Sequence, residues 1–437
     1  MAPVTSAVAV ERFPLGAALT LAELERFDNA AALHRLREHE PVTWFAEQGV
    51  WLVTGKALFD ELQMDPQRFV VEVADNPQRV VLGRQMLVVD GDEHTRHRAP
   101  FADPFKHSAV RRLFTDAVVH RVGRLLDAIT CGRSDGRGGA ATEGRVELGA
   151  AFAYPFAVGV ASDVLGLGLE ETEEVHRIYT AFAQGMIGYR EREPVARAAC
   201  ARARLDELIA PQIERLRHEP DDSMLAAAIH GATAGWRTTE ELFANLRLIL
   251  FGGVETVESM ILNTTWSLLR HPEQVRALIA HPDLWPAAVQ EGLRWIPPVG
   301  YTDRWASADT ELGGAPIARG DYLVGVIAAA NRDPARFPNP DRFDILRSTA
   351  DGARGATGGE HEDESRSQRP RTVRQNLSFG KGIHMCLGVN LARLQGAIAL
   401  RGLFERLPGL RLDPSHPAEP VGFNFRRPPH LHVLWGG

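Results

Sequence analysis

Cys386 closes the run Phe379-Gly380-Lys381-Gly382-Ile383-His384-Met385-Cys386, and Leu387-Gly388 leads from it into a stretch that reads as helix. A cysteine acts as ligand or nucleophile through its thiolate, whose charge has to be stabilised. A tight glycine-containing loop feeding a helix N-terminus offers backbone N–H donors and the positive end of a helix dipole. Gly380 and Gly382 allow a sharp turn and a close approach to a flat ligand, which side chains would block. Other chemistries fit less well. A phosphate-cradling loop would end in Lys-Ser/Thr, and covalent haem attachment would need Cys-x-x-Cys-His. Zinc would need several clustered ligands, whereas Cys131 and Cys200 are distant and unaccompanied. A buried, inert thiol is the remaining alternative.

A second unusual stretch lies in the helical pattern from Thr238 to Leu269, roughly 50 Å long at 1.5 Å per residue. Its middle reads Phe251-Gly252-Gly253-Val254-Glu255-Thr256. Glycine costs a helix about 1 kcal/mol relative to alanine, so two in succession mark either a close helix–helix contact or a groove. The Thr256 hydroxyl can bond the Gly252 carbonyl and spread the ladder there. Further along, Glu291 and Arg294 place opposite charges three residues apart on an apolar helix, and a buried pair of that kind must be fully satisfied. His94 and Arg98, four apart, share a helical face.

The ten positions around Cys386 resemble the haem-binding loop of the cytochrome P450 family, in which the cysteine thiolate is the axial iron ligand. The other motifs fall in the family's order from about Asp92 to the C-terminus, while the first 90 residues carry no diagnostic motif. The resemblance is to bacterial-type haem-thiolate monooxygenases, and it implies haem b (iron protoporphyrin IX) as cofactor with Cys386 on the metal. It casts Thr256 and Glu255 as the alcohol–acid pair that supplies protons for dioxygen cleavage. Val257 follows where a second threonine is common. His94, Arg98, Arg304 and His384 match positions that bind the haem propionates, and Phe379, Gly388 and Gly252 match positions that border the cofactor. Glu291, Arg294 and Arg342 would form a structural triad behind the haem loop. Leu248, Phe251, Val299, Tyr301, Phe423 and Phe425 are positioned as the substrate wall, with the segment Phe69 to Val89 and the helices around Met186 as lid.

The implied activity inserts one oxygen atom from O2 into a small apolar organic substrate, with an aromatic body or a secondary metabolite as the fitting type. Only 51 residues follow Cys386 and no dinucleotide fingerprint precedes it. Electrons are therefore expected from a separate ferredoxin and NAD(P)H-dependent reductase, and Arg111 and Arg112 could belong to a basic docking face. The alternatives are a peroxide-using haem-thiolate peroxygenase and a non-catalytic haem-thiolate protein that binds ligand without turnover.

Positioning these groups requires a large scaffold. The 437 residues are 44% hydrophobic with 24% charged residues, an ordinary globular balance. Periodicity predicts a mainly α fold with small β-sheets (α+β) and one large domain over 1–437, and the resemblance implies a long central helix over the haem. Helices are expected over Leu21 to Arg37, Glu93 to Arg98, Ala109 to Ala128, Ala150 to Leu165, Glu170 to Gly185 and Pro194 to Leu216. Others follow over Glu273 to Ile279, Leu284 to Trp295 and Gly388 to Leu407. Short strands are expected at Pro41 to Phe45, Val50 to Val53 and Thr310 to Ala328, with β-like runs near Val421 to Phe425 and His430 to Trp435. Gly132 to Gly144 reads as a surface loop, and 348–374 as a disordered insertion before the haem loop. A net charge of −7 argues against nucleic acid. Neither a signal peptide nor a run of about 18 apolar residues is present, so a cytoplasmic location without membrane is expected.

Overall fold

The structure, a computed structural model, describes residues 6–131, 144–168, 172–231, 235–347 and 376–436. Most of Gly132 to Gly144, all of 348–374 and the Cys131 side chain lie outside the described residues.

The central helix, Thr239–Leu269, runs for 31 residues. Thr238 caps it by accepting from the Glu241 N–H, and Glu240 and Glu241 lie in its first turn, where acidic groups meet the positive end of the dipole. From Val257 to Leu268 every residue is buried, so this half forms the middle of the core. Packed around it are the helices Tyr154–Val164, Thr172–Ile187, Trp285–Trp295 and Val389–Arg406. Gly292 permits one of these approaches, since a Cβ there would lie 2.2 Å from Thr264 Oγ1.

Among the described residues, ten short strands complete the fold: β1 (Val42–Phe45), β2 (Val50–Val53), β3 (Phe69–Val70), β4 (Gly144–Glu147), β5 (Tyr301–Ala306), β6 (Thr310–Leu312), β7 (Ala315–Ile317), β8 (Tyr322–Val326), β9 (Arg411–Leu412) and β10 (His432–Trp435). A five-stranded sheet has the order β1-β2-β8-β5-β3, a three-stranded sheet β4-β10-β9, and β6-β7 form a hairpin. The architecture is thus mainly helical with small sheets, as the sequence predicts.

The departures have local causes. The stretch predicted as one helix from Leu21 to Arg37 is two, Leu21–Glu25 and Ala30–His39. Between them Asn29 donates its amide to the Leu24 carbonyl at 2.6 Å, a side-chain turn that competes with helix. The helix expected from Ala150 begins as a π-helical turn over Gly149–Ala153, where the Glu147 carboxylate accepts the N–H groups of Gly149 and Ala150. The Thr310 to Ala328 region holds three strands and ends in a short helix, Ile327–Ala330. Around Val421 to Phe425 the pairing is reduced to two isolated bridges, Val299 with Phe425 and Val421 with Arg427. Helices Lys56–Met64, Pro77–Leu82 and Met224–His230 were not anticipated. No helix among the described residues is long and apolar enough to cross a membrane.

Candidate functional site

The cysteine loop is shaped by backbone bonds. Gly380 N–H donates to the Leu377 carbonyl, Met385 N–H to Gly382, and Cys386 N–H to Phe379 at 2.8 Å. Gly380 and Gly382 take φ of 66° and 72°, a region that side chains disfavour. A Cβ on Gly382 would stand 2.3 Å from the Gln63 carbonyl oxygen, so the loop could not dock there with any other residue. Gly388 then leads into the helix Val389–Arg406.

Cys386 sits deep in the molecule, yet its side chain is accessible, because it opens onto a large internal cavity of about 780 Å³. Burial pushes the thiol pKa up, against the opposing pull of the Gly388 N–H and the charges of Arg98 and Arg393. The loop's donors alone therefore do not outweigh desolvation, and a cation in the cavity would supply what they lack.

His94, Arg98, Arg304 and His384 all line the same cavity. The His94 and His384 rings meet edge-on with centroids 4.5 Å apart. His384 shares a hydrogen bond of 3.1 Å between Nε2 and Asp90 Oδ1, while its Nδ1 and the His94 Nε2 are buried without partners. Burial, then the charges of His384 and Arg98, holds the His94 pKa down at about 4. Arg98 donates to the Met385 carbonyl at 2.6 Å, and Arg304 to Gln63 Oε1 at 2.7 Å. Orphaned imidazole nitrogens beside two guanidinium groups suit an anionic ligand edge. The cavity surface at Gly252 and Gly380 is bare, since a Cβ at either would meet nothing within 4 Å. This donor set fits haem: a thiolate for iron, open glycine surfaces for a flat ring, and basic groups for its carboxylates.

On the central helix, Thr256 donates to the Gly252 carbonyl at 2.7 Å and lines the cavity wall with Gly252, Gly253 and Val257. Glu255 lies off that wall. Its carboxylate accepts from Tyr179 at 2.7 Å and Arg427 at 3.3 Å. One turn on, Glu258 is 4% exposed, 3.6 Å from Arg427, with Oε2 unpartnered. Burial pushes its pKa up to about 7, Arg427 pulling the other way. Sequence reading missed Glu258; its only sign is a second acid three residues after Glu255 on an apolar helix.

Leu248, Phe251, Val299 and Tyr301 line the cavity, as do Met186 and Val71, Met86 and Leu87 from the expected lid. Phe423 does not. The chain bends at Phe423 and Asn424, so Phe423 packs behind Tyr301 at 5.0 Å while Phe425 faces inward, 6.4 Å from Phe251. The structural triad also needs correction. Glu291 pairs with Arg294 at 2.7 Å, but the third guanidinium is that of Arg347, 3.3 Å from Glu291. Arg342 is exposed and contributes its backbone carbonyl, which accepts from Arg294 at 2.9 Å. The loop turns the Arg342 side chain outward and returns Arg347 to the acid. Arg112 is engaged with Asp222 at 2.8 Å on the surface.

The family model described as Cytochrome P450 matches residues 198–408. Pentalenic acid synthase of Streptomyces avermitilis is 33% identical over 91% of this chain and 91% of its own. The 6-deoxyerythronolide B hydroxylase of Saccharopolyspora erythraea is also 33% identical, over 86% of this chain and 88% of its own. The crystal structure of CalO2 superposes with a TM-score of 0.77 at 28% identity, covering 94% of this chain and 97% of that one.

Proposed function

The chain belongs to the cytochrome P450 family, and from that premise we propose that it oxygenates an apolar organic substrate with O2, Cys386 holding the iron of haem b. It is an oxidoreductase of the bacterial P450 monooxygenase type. The finer reading treats residues 1–437 as one domain supplied with electrons by a separate ferredoxin and NAD(P)H-dependent reductase. The observation that carries it is the opening of the Cys386 side chain onto a cavity that Thr256 of the central helix also lines.

His94, Arg98, Arg304 and His384 would hold the propionates, with Phe379, Gly388 and Gly252 bordering the ring. When bound, haem supplies the activation of dioxygen. The protein's task is then to deliver protons and keep water out. Thr256 Oγ1 holds a proton at the wall, bonded back to Gly252. Glu255 can resupply it by turning from Tyr179 and Arg427 or through an intervening water. Arg427 is 31% exposed, so this network reaches solvent. Glu258, with a pKa near 7, keeps a proton in store beside it at neutral pH. Leu248, Phe251, Val299 and Phe425 exclude water and hold the apolar body of a substrate.

The test is the absorption spectrum of the haem-loaded, reduced protein with carbon monoxide. A strongly red-shifted Soret band, abolished in Cys386→Ser, is expected; a band typical of histidine or thiol ligation in folded protein would overturn the reading. Product formed with reductase and O2, and not with peroxide, separates the monooxygenase from a peroxygenase. A ligand-binding protein without turnover would yield product with neither.

A further inference from the structure

We propose that the cavity holds a cage of aromatic rings around the Asp303 carboxylate that binds a cationic ammonium group on an otherwise apolar substrate. This deepens the monooxygenase reading and rests on it. Successive residues of a strand point to opposite faces, so β5 sends Arg304 to one side and Asp303 to the other. Register places Trp305 opposite Tyr322 of β8 and Asp303 opposite Val324. Asp303, Trp305 and Tyr322 therefore share a face, which Tyr301 joins two residues earlier. All four line the cavity, together with Tyr189.

The carboxylate is poorly satisfied. Its hydrogen bond from the Tyr322 hydroxyl is long, 3.4 Å, and burial pushes its pKa up, with Arg304 as the leading opposing charge. Arg304 directs its donors elsewhere, to Gln63 Oε1 at 2.7 Å and the Asp303 carbonyl at 2.6 Å. Arg190, also on the cavity wall, is largely exposed, lies over the Tyr189 ring and 4.0 Å from Asp75, and is screened by solvent. A half-buried carboxylate with one long hydrogen bond calls for a cation, and aromatic faces attract one. The Trp305 and Tyr322 rings lie 4.7 Å apart at 32°. Aromatic faces beside an acid recognise quaternary and protonated tertiary amines. The apolar remainder of such a ligand would extend past Val299 and Phe251 toward Thr256.

The experiment uses the holoenzyme and three probes of equal chain length below their micelle-forming concentrations: dodecyltrimethylammonium, 1-dodecanol and dodecanoate. The quaternary nitrogen has no lone pair and cannot ligate iron. Affinity is read twice, by the spin-state shift of the Soret band and by calorimetry. The ammonium probe is expected to bind about 10-fold tighter than the alcohol, the dodecanoate weakest. Asp303→Asn should abolish that preference and leave alcohol binding unchanged, and Tyr322→Phe should reduce it several-fold. Equal binding of ammonium and alcohol by the unaltered protein, or equal loss for both probes in Asp303→Asn, would overturn the cage. The carbon monoxide spectrum judges the monooxygenase reading separately, because calorimetric selectivity does not depend on iron ligation.

Discussion

Glu291 and Glu258 are equally buried, 4% exposed each, and are treated in opposite ways. Behind the cysteine loop, Glu291 accepts two bonds from Arg294, the N–H of Asp344 at 2.8 Å, and two longer bonds from Arg347. Arg294 in turn donates to the carbonyls of Asn331, Pro340 and Arg342. Both Glu291 oxygens and the Arg294 guanidinium are thus saturated. On the central helix, Glu258 keeps an orphaned oxygen, and its neighbour Glu255 is shared between Tyr179 and Arg427. A frame gains from saturated polar groups, since each one left unpaired costs free energy. A wall that must pass protons gains from groups that can exchange partners. The difference teaches that burial alone does not mark a site; the degree of satisfaction does.

The sharpest way to break this comparison is on the saturated side. Glu291→Gln strands Arg294 in the interior without its counter-ion, a loss of about 3–5 kcal/mol. Denaturant unfolding should register it, with a matching fall in the yield of haem-loaded protein. Arg342→Ala keeps the carbonyl that Arg294 uses and should stay within about 0.5 kcal/mol of the parent, whereas Arg347→Ala should behave as a weaker version of Glu291→Gln. Equal losses at 342 and 347 would contradict the assignment of the third guanidinium.

That pair also shows where sequence reasoning stops. The cysteine loop and the central helix are legible because their chemistry is local: glycine spacing, a capping threonine, apolar periodicity. Thr256 and its bond to Gly252 follow from helix geometry alone. Arg342 and Arg347 are five residues apart in an irregular loop, and no periodicity tells which side chain returns to Glu291. Phe423 and Phe425 have the same difficulty, since alternation fails where the chain bends between them. Asp303 and Tyr322 are 19 residues apart, so their contact depends on strand register that only the folded sheet defines. Glu258 was hidden for another reason: its sequence neighbourhood resembles any polar turn of a helix, and only packing makes it buried.

On the unsaturated side the expected effects are smaller and depend on pH. The Glu258 pKa lies near 7 in the fold against about 4.3 in the unfolded chain. Between these values the unfolded state gives up its proton first, so stability falls as pH rises from about 4.5 to 7 and then levels off. Glu258→Gln removes that loss. It should leave unfolding unchanged at pH 4 and raise stability by at most about 4 kcal/mol at pH 8. A variant less stable than the parent at pH 8 would mean that the Arg427 contact outweighs desolvation. Thr256→Ala comes next, with an effect on chemistry. Product formed per NAD(P)H consumed should fall by about 10-fold, equivalent to 1.4 kcal/mol, with the balance released as peroxide.

The smallest effect is expected at Tyr179, and it tests whether Glu255 is shared or fixed. Tyr179→Phe deletes the 2.7 Å bond to Glu255 but keeps the ring that stacks on Phe251 at 5.9 Å. Arg427 still holds the other carboxylate oxygen, so Glu255 remains paired and the buried wall stays intact. A single hydrogen bond to a charged group contributes about 1.5–3 kcal/mol when its loss leaves a partner stranded, and nearer 1 kcal/mol otherwise. With Arg427 in place the lower figure applies, and coupling of product to NAD(P)H should stay within about twofold. A collapse of coupling to the Thr256→Ala level would show that Tyr179 orients the proton donor, and the wall would then be as tightly specified as the frame.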